Sequence, residues 1–293
     1  MAITRVSTLS LNSMVQTNLS RIREQLYDTE TEALTGLSVN APSDAPELMA
    51  QIDRLEETIN DQFVYQDNIS LAFAQLDTAE QALDTVSNVI TRGIELAIMF
   101  ASETANEDSR NDSASEAAAL YDEIIALANT DFSGRYLFAG DSYDSEPFDS
   151  SGTYVGSTEV PEVIIGSGVS VQVGFDGSDV FQGSVDIFDT FAQLEAALVA
   201  NDPDALQALI DPLNEALQQV NGVREEIGYR WAAVDDSLVV SENLSLSLTQ
   251  RLEDMIAADP VETYTDLANL QTAYEAALAV SGSTLTSNLF DFL

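Results

Sequence analysis

Apolar residues recur near both ends of this chain at the alternating spacing of four and three residues that is typical of a coiled-coil seam. In the N-terminal region the repeat runs from Val15 to Ala33, and in the C-terminal half it runs from Leu206 to Leu238. A helix with one narrow apolar stripe cannot bury that stripe alone. The chain is therefore expected to fold back on itself, to bind copies of itself, or to do both, and its function is predicted to be assembly.

The charge balance excludes several classes of partner. The chain of 293 residues has 50 acidic and 10 basic residues, a net charge of -40, and every basic residue is an arginine. Such a chain repels phosphates and anionic lipids, so we expect neither nucleic acid nor a membrane as partner. Self-association must also overcome this repulsion, and we expect it to require salt that screens charges over roughly 8 Å.

The chain contains neither cysteine nor histidine. Disulfides, thiolate or imidazole metal sites, and catalysis by a cysteine or histidine pair are therefore excluded. We predict no enzyme, no cofactor and no resident metal. The acidic loop residues Asp141, Asp144, Glu146 and Asp149 lack the spacing of an EF-hand, so we interpret them as solvated, with a Ca²⁺ site as the alternative.

The first fourteen residues contain one arginine and no continuous apolar run. They do not resemble a cleaved signal peptide. No window approaches the roughly 18 apolar residues of a membrane span. If the protein leaves the cell, we expect it to use a route without a cleaved leader.

Helical periodicity and the distribution of glycine predict the organisation of the chain. Nine of the 14 glycines lie between Gly134 and Gly183, and alternating valines from Val169 to Val173 favour a strand there. The predicted fold class is mainly α, a long antiparallel coiled-coil-like helical hairpin made by the N- and C-terminal segments, with a small β-rich central insertion. The predicted domains are a terminal helical pair (1–40 with 258–293), a helical rod domain (41–136 with 187–257) and the β-rich outer insertion (137–186).

The same periodicity gives narrower expectations. The helices are predicted over about 11–34, 46–101, 117–127, 206–255 and 261–289, with a turn over 102–113. Trp231 continues the C-terminal seam and is expected in the core. Arg224 occupies a seam position, where a solvent-reaching guanidinium is the commoner arrangement and a carboxylate partner the alternative.

Four segments resemble one protein family. Residues 34–46 (LTGLSVNAPSDAP) are similar to the loop after the first helix of bacterial flagellins, and residues 134–140 (GRYLFAG), followed by Pro147 and Phe148, resemble a signature of the hook-filament junction family within the flagellin superfamily. Residues 223–230 (VREEIGYR) and the tail 270–293 are similar to segments of the same superfamily. The positions that match the turn and signature motifs are Gly36, Pro42, Asp44, Pro46, Gly134, Tyr136, Phe138, Gly140, Arg224, Gly228 and Arg230.

This resemblance implies an inner rod of paired terminal helices, with the middle of the chain facing outward. It also implies export by the flagellar type III apparatus with the help of a chaperone, an extracellular place in the bacterial flagellum, and a ring of copies that contacts neighbouring hook or junction proteins and filament proteins. The alternatives are a flagellin-type filament subunit and a secreted acidic coiled-coil effector or adhesin. The predicted subunit-interface residues are Val15, Leu19, Ile22, Leu26, Tyr274, Leu278, Leu285 and Leu289.

Overall fold

The structure is a computed structural model that describes residues 2–102 and 106–290, with side chains described at 10, 13–102 and 106–282. The contacts within the chain separate it into two compact units. The first unit contains residues 1–60 and 246–293, and the second contains residues 61–245.

Helices dominate both units, which confirms the predicted mainly α fold class. The described strands form two antiparallel pairs, β1 with β2 and β3 with β4. The helices are α1 (Ala2–Thr35), α2 (Pro46–Phe100), α3 (Glu107–Ala128), α4 (Gly177–Gln182), α5 (Ile187–Val199), α6 (Pro203–Ile256) and α7 (Pro260–Phe290). The strands are β1 (Asp131–Phe132), β2 (Arg135–Tyr136), β3 (Glu162–Gly166) and β4 (Val169–Gln172).

In the first unit, α1 packs along α7. An antiparallel bridge between Leu37 and Ala257 places the end of α1 beside the start of α7. Helix α1 begins at Ala2, so the prediction of a start near Leu11 was wrong. Serine and threonine have low intrinsic helix propensity, but packing against a partner helix overrides such local preferences.

In the second unit, the seven-residue repeat of α2 lies in the core. Ile69, Leu76, Leu83 and Ile90 are all fully buried, in one cluster with α6 residues such as Leu213. Helix α3 packs against α5. The apolar repeat of α2 therefore fixes which of its faces is inside the unit.

Helix α3 starts earlier than the sequence pattern predicted. The side chain of Asn106 accepts a hydrogen bond from the backbone N–H of Asp108 and caps the helix, which begins at Glu107. The predicted turn over 102–113 is therefore wrong from residue 107 onward, while residues 103–105 lie outside the described part of the chain. An asparagine cap followed by two acidic residues stabilises a helix N-terminus.

Trp231 is 46% exposed, so the prediction that it lies in the core was wrong. Its ring makes an edge contact with Phe73 of α2, with ring centroids 4.8 Å apart. Ile227 and Val234 occupy the buried positions on this stretch of α6. Trp231 lies to one side of that buried line, where it covers Phe73 and remains half open to solvent.

An aromatic cluster fills the core of the central segment, which we define as the part of the chain from the end of α3 to the first turn of α5. Phe148 packs against Phe181 and Phe188 with ring centroids 5.3 and 4.9 Å away, and Phe138 contacts Phe181 at 5.3 Å. All four rings are nearly or fully buried. The short strands and α4 surround this cluster, so aromatic burial, more than strand pairing, holds the segment together.

Candidate assembly surfaces

The loop after α1 is attached to the junction between α6 and α7. Gly36 adopts a φ of 73°, which favours glycine, and its carbonyl accepts a hydrogen bond from the N–H of Ala258 at 2.9 Å. The N–H of Ser38 donates to the carbonyl of Ile256 at 2.7 Å. These two bonds join the loop after α1 to the α6–α7 junction within the first unit.

Asp44 closes the same loop. Its Oδ2 accepts hydrogen bonds from the backbone N–H groups of Ala41 at 2.7 Å and Asn40 at 3.0 Å. Both bonds favour the ionised carboxylate and lower the pKa of Asp44. Pro42 lies exposed inside this turn, and Pro46 begins α2, where its missing N–H costs nothing.

The apolar residues of α1 remain only partly covered. Val15, Leu19, Ile22 and Leu26 are all half-buried although α1 is packed on α7. On α7, Tyr274 is half-buried and Leu278 is 45% exposed. The side chains of Leu285 and Leu289 lie outside those that the structure describes. The terminal pair thus retains apolar surface, and an interface role for these residues stays a prediction.

The motif from Gly134 to Gly140 begins and ends with a glycine of positive φ. Gly134 has a φ of 81° in the β1–β2 turn, and the N–H of Tyr136 donates to the carbonyl of Tyr143. Gly140 has a φ of 60°, and a Cβ there would collide with the carbonyl oxygen of Ser157. The turn at Gly134 needs only the left-handed conformation, whereas Gly140 needs both that conformation and the absence of a side chain.

The two arginines of the α6 motif connect α6 to different neighbours. Arg224 binds the carboxylates of Glu80 and Asp84 on α2, so its pattern-breaking place on the seam reflects ion pairing. Arg230 donates to the carbonyls of Gln172 and Gly174 at 3.2 and 3.0 Å and holds β4 beside α6. Gly228 lies between them on an exposed position of the helix, with no neighbouring atom where a Cβ would stand.

Sequence reasoning missed a buried arginine. Arg110 is 3% exposed and donates to the carbonyls of Phe100 at 3.1 Å and Ser102 at 2.6 Å, and also to the side-chain oxygen of Asn201. It therefore covers the C-terminal end of α2 and ties α3 to the turn between α5 and α6. Its position in a polar stretch gave no periodic signal.

Sequence reasoning also missed the role of Asn129. Its side chain exchanges two hydrogen bonds with the backbone of Phe148, each 2.9 Å long. The pair fixes the loop that carries Phe148 into the aromatic cluster. The asparagine follows α3 directly, which is a recognisable helix-end signal, but its partner is nineteen residues away.

Two acidic residues of the central segment, Asp149 and Asp176, have structural hydrogen-bond partners. Asp149 accepts hydrogen bonds from the hydroxyl and backbone N–H of Ser151 and from the N–H of Thr153, and these bonds lower its pKa. Asp176 caps α4 through the N–H of Ser178. Within the described residues, no three or more His, Cys, Asp or Glu side chains are grouped as a metal site would require. No helix in the described ranges is long and apolar enough to cross a membrane.

Comparison with known proteins gives consistent relatives. A model of the bacterial flagellin N-terminal helical region matches residues 6–142. The chain is similar to flagellar hook-associated protein 3 of Escherichia coli, at 26% identity over 83% of this chain and 85% of that protein. It is also similar to flagellar hook-associated protein 3 of Salmonella typhimurium, at 22% identity over 96% of both chains.

A solved structure shows the same fold. A flagellar hook-associated protein of Vibrio parahaemolyticus superposes with a TM-score of 0.67 at 23% identity, over 73% of this chain and all of that one. Its agreement in fold extends over most of the helical frame described above. The chain is thus similar to bacterial flagellins in its N-terminal helical region, and it is similar to flagellar hook-associated protein 3 over most of its length.

Proposed function

We propose that this chain is a non-enzymatic structural subunit of the bacterial flagellum that joins the hook to the filament. One observation carries the proposal: α1 and α7 pair, yet Val15, Leu19, Ile22 and Leu26 remain only half-buried. Apolar surface left open on a paired helical rod favours contact with further subunits. The names of the two full-length relatives support the junction as the place of assembly.

The finer assignments follow the same reasoning. The terminal pair (1–40 with 258–293) makes the inner contacts, the rod domain (41–136 with 187–257) surrounds it, and the segment 137–186 faces outward. The partners are further copies in a ring, a neighbouring hook or junction protein on one side, filament protein on the other, and a chaperone during export. The protein acts outside the cell, as part of the bacterial flagellum.

The loop at Gly36 supports this arrangement. It joins the end of α1 to the start of α7 through the bonds of Gly36 and Ser38. The two terminal helices therefore enter their pair from a common fixed point. A structural subunit that joins two assemblies needs a defined geometry of this kind and no catalytic group.

Electron microscopy of cells lacking the gene tests the proposal. We expect hooks without filaments, with filament protein shed into the medium, and restoration by the wild-type gene. A gene truncated before Pro260, which removes α7, is the matched control and should not restore filaments. Normal filaments on the hooks of the deletion strain would refute the proposal and favour a secreted effector or adhesin. Polymerisation of the purified chain alone into long filaments would identify a filament subunit instead.

A further inference from the structure

The second unit has two exposed apolar features on different faces of the same helix pair. The first is an aromatic face, which we define as Phe73 of α2 with Trp231 and Leu238 of α6. Trp231 is 46% exposed, Phe73 and Leu238 are half-buried, and the two rings touch. The second is the hairpin made by β3 and β4, on which Ile164 is 57% and Val169 47% exposed.

Hydrogen bonds place the hairpin on one side of the helices. The side chain of Asn68 donates to the carbonyl of Ile164 at 2.8 Å, and Arg230 binds the carbonyls of Gln172 and Gly174. Phe73 lies five residues beyond Asn68, which is about 140° around the helix, and Trp231 lies about 100° from Arg230. Phe73 and Trp231 therefore lie on a different face of each helix from the residues that hold the hairpin of the same chain.

Charge restricts what can cover the aromatic face. Each of its three members is followed four residues later by an exposed carboxylate on the same side of its helix, namely Asp77, Asp235 and Glu242. An acidic element would be repelled by this rim. The hairpin segment 161–173 contains one acidic residue and no basic residue, in a chain of net charge -40. Apart from Glu162, its exposed side chains are apolar or small, so it can approach the rim at low electrostatic cost.

We propose that the β3–β4 hairpin of one copy docks on the aromatic face of a second copy. The inference rests on the proposed function, because it names the contact between neighbouring copies in the ring. The two surfaces differ, so the contact is head-to-tail. After one such contact the first copy still has a free aromatic face and the second a free hairpin, and repetition closes a ring or extends a helix but does not stop at a dimer.

The absence of cysteine makes a direct test possible. Ser167 is exposed in the hairpin turn, and Ser70 is exposed on α2 three residues from Phe73. We would co-express full-length S167C and S70C chains in the organism, isolate its flagella and add a short bismaleimide. We expect a covalent dimer that contains one chain of each kind. S115C on α3, which is also an exposed serine, is the matched control and should give no dimer with S70C.

A second pair of variants tests the apolar contact. Adding I164D to the S167C chain should reduce the yield of dimer at least tenfold. V155D changes an equally exposed valine outside the hairpin and should leave the yield unchanged. If both cysteine variants are present in isolated flagella and no dimer forms, or if either chain becomes linked only to a different protein, the docking proposal is wrong. The proposed function would fail separately, if the chain were absent from the flagella.

Discussion

Arg224 donates two hydrogen bonds to one carboxylate oxygen of Glu80, from Nε at 3.0 Å and from Nη2 at 2.7 Å. These bonds raise the pKa of Arg224. The second oxygen, Oε2, is buried and has no hydrogen-bond partner among the described residues. One oxygen of Glu80 is thus strongly hydrogen-bonded, and the other makes no hydrogen bond within the part of the chain that the structure describes. The neighbouring guanidinium of Arg224 compensates the charge of this carboxylate.

Replacing Arg224 by leucine should expose this dependence. R224L restores an apolar residue at the seam but leaves Glu80 without its cation, so we expect unfolding free energy to fall by about 1 kcal/mol, a modest figure because both side chains are partly exposed. The double variant R224L/E80L should recover most of the loss. Urea unfolding of the full chain measures both. A double variant no more stable than R224L alone would contradict the account.

Gly140 and Gly134 form a matched pair of positive-φ glycines. G134A should cost about 1 kcal/mol, because only the left-handed backbone is strained and no atom lies near the new Cβ. G140A should cost about 3–5 kcal/mol, because the Cβ also collides with the carbonyl of Ser157. Thermal unfolding followed by circular dichroism compares them. Equal losses would mean that the Ser157 loop moves aside freely.

Arg110 should be far more important to stability than a typical arginine of this chain. R110M leaves the carbonyls of Phe100 and Ser102 without their buried donor, so we expect a loss of about 3 kcal/mol in unfolding free energy. R92M removes the exposed ion pairs with Glu95 and Glu116 and should have a much smaller effect. Chemical denaturation of the two variants distinguishes the roles, and a similar loss for both would refute the assignment.

The loop at Asp44 should respond to acid. Its carboxyl has a lowered pKa in the folded chain, so its contribution to stability is present at neutral pH and is lost as the pH falls through that folded value. Carboxyl NMR should show Asp44 titrating below the value near 3.9 of an unperturbed aspartate. In D44N, the amides of Asn40 and Ala41 should exchange faster at neutral pH, whereas S43A should change them little. An ordinary titration would contradict the hydrogen-bond geometry.

The net charge predicts how association depends on salt. Copies that each carry -40 repel one another at long range, and the hairpin and aromatic face meet largely through apolar atoms. When purified S167C and S70C chains are allowed to associate before cross-linking, the yield of the covalent dimer should therefore rise between very low and moderate salt. Potassium chloride should raise the yield because it screens charge, whereas an uncharged osmolyte at the same osmolality should not. An equal yield at all ionic strengths would remove charge repulsion as a constraint.

Periodicity predicted the helical frame because the frame depends on repeated burial. Ile69, Leu76, Leu83 and Ile90 recur every seven residues, and every one of them is fully buried. The same rule failed at Trp231, because a seam read from spacing alone does not say how wide the packed contact is. Around Trp231, the buried contact of α6 is narrower than the apolar spacing of the sequence implies.

The polar connections could not be read in the same way. Arg110, Asn129 and Asn68 each bind a backbone carbonyl that is distant in the sequence, and no spacing rule relates such partners. The cap at Asn106 was readable in principle, since two acidic residues follow it, but the surrounding serines concealed the start of α3. Gly134 and Gly140 were identified by resemblance, and only the backbone angles and neighbouring atoms explain why each is glycine.

The pairing of α1 with α7 also constrains when the protein can mature. Helix α1 ends at Thr35 and its partner α7 begins at Pro260. More than two hundred residues between them must therefore be made before α1 can pack against α7. Closing so long a loop is entropically costly and slow compared with forming local helices. Helix α1 therefore stays without its partner while residues 36–259 are made. During that time the apolar stripe of α1 that α7 covers is open to other contacts.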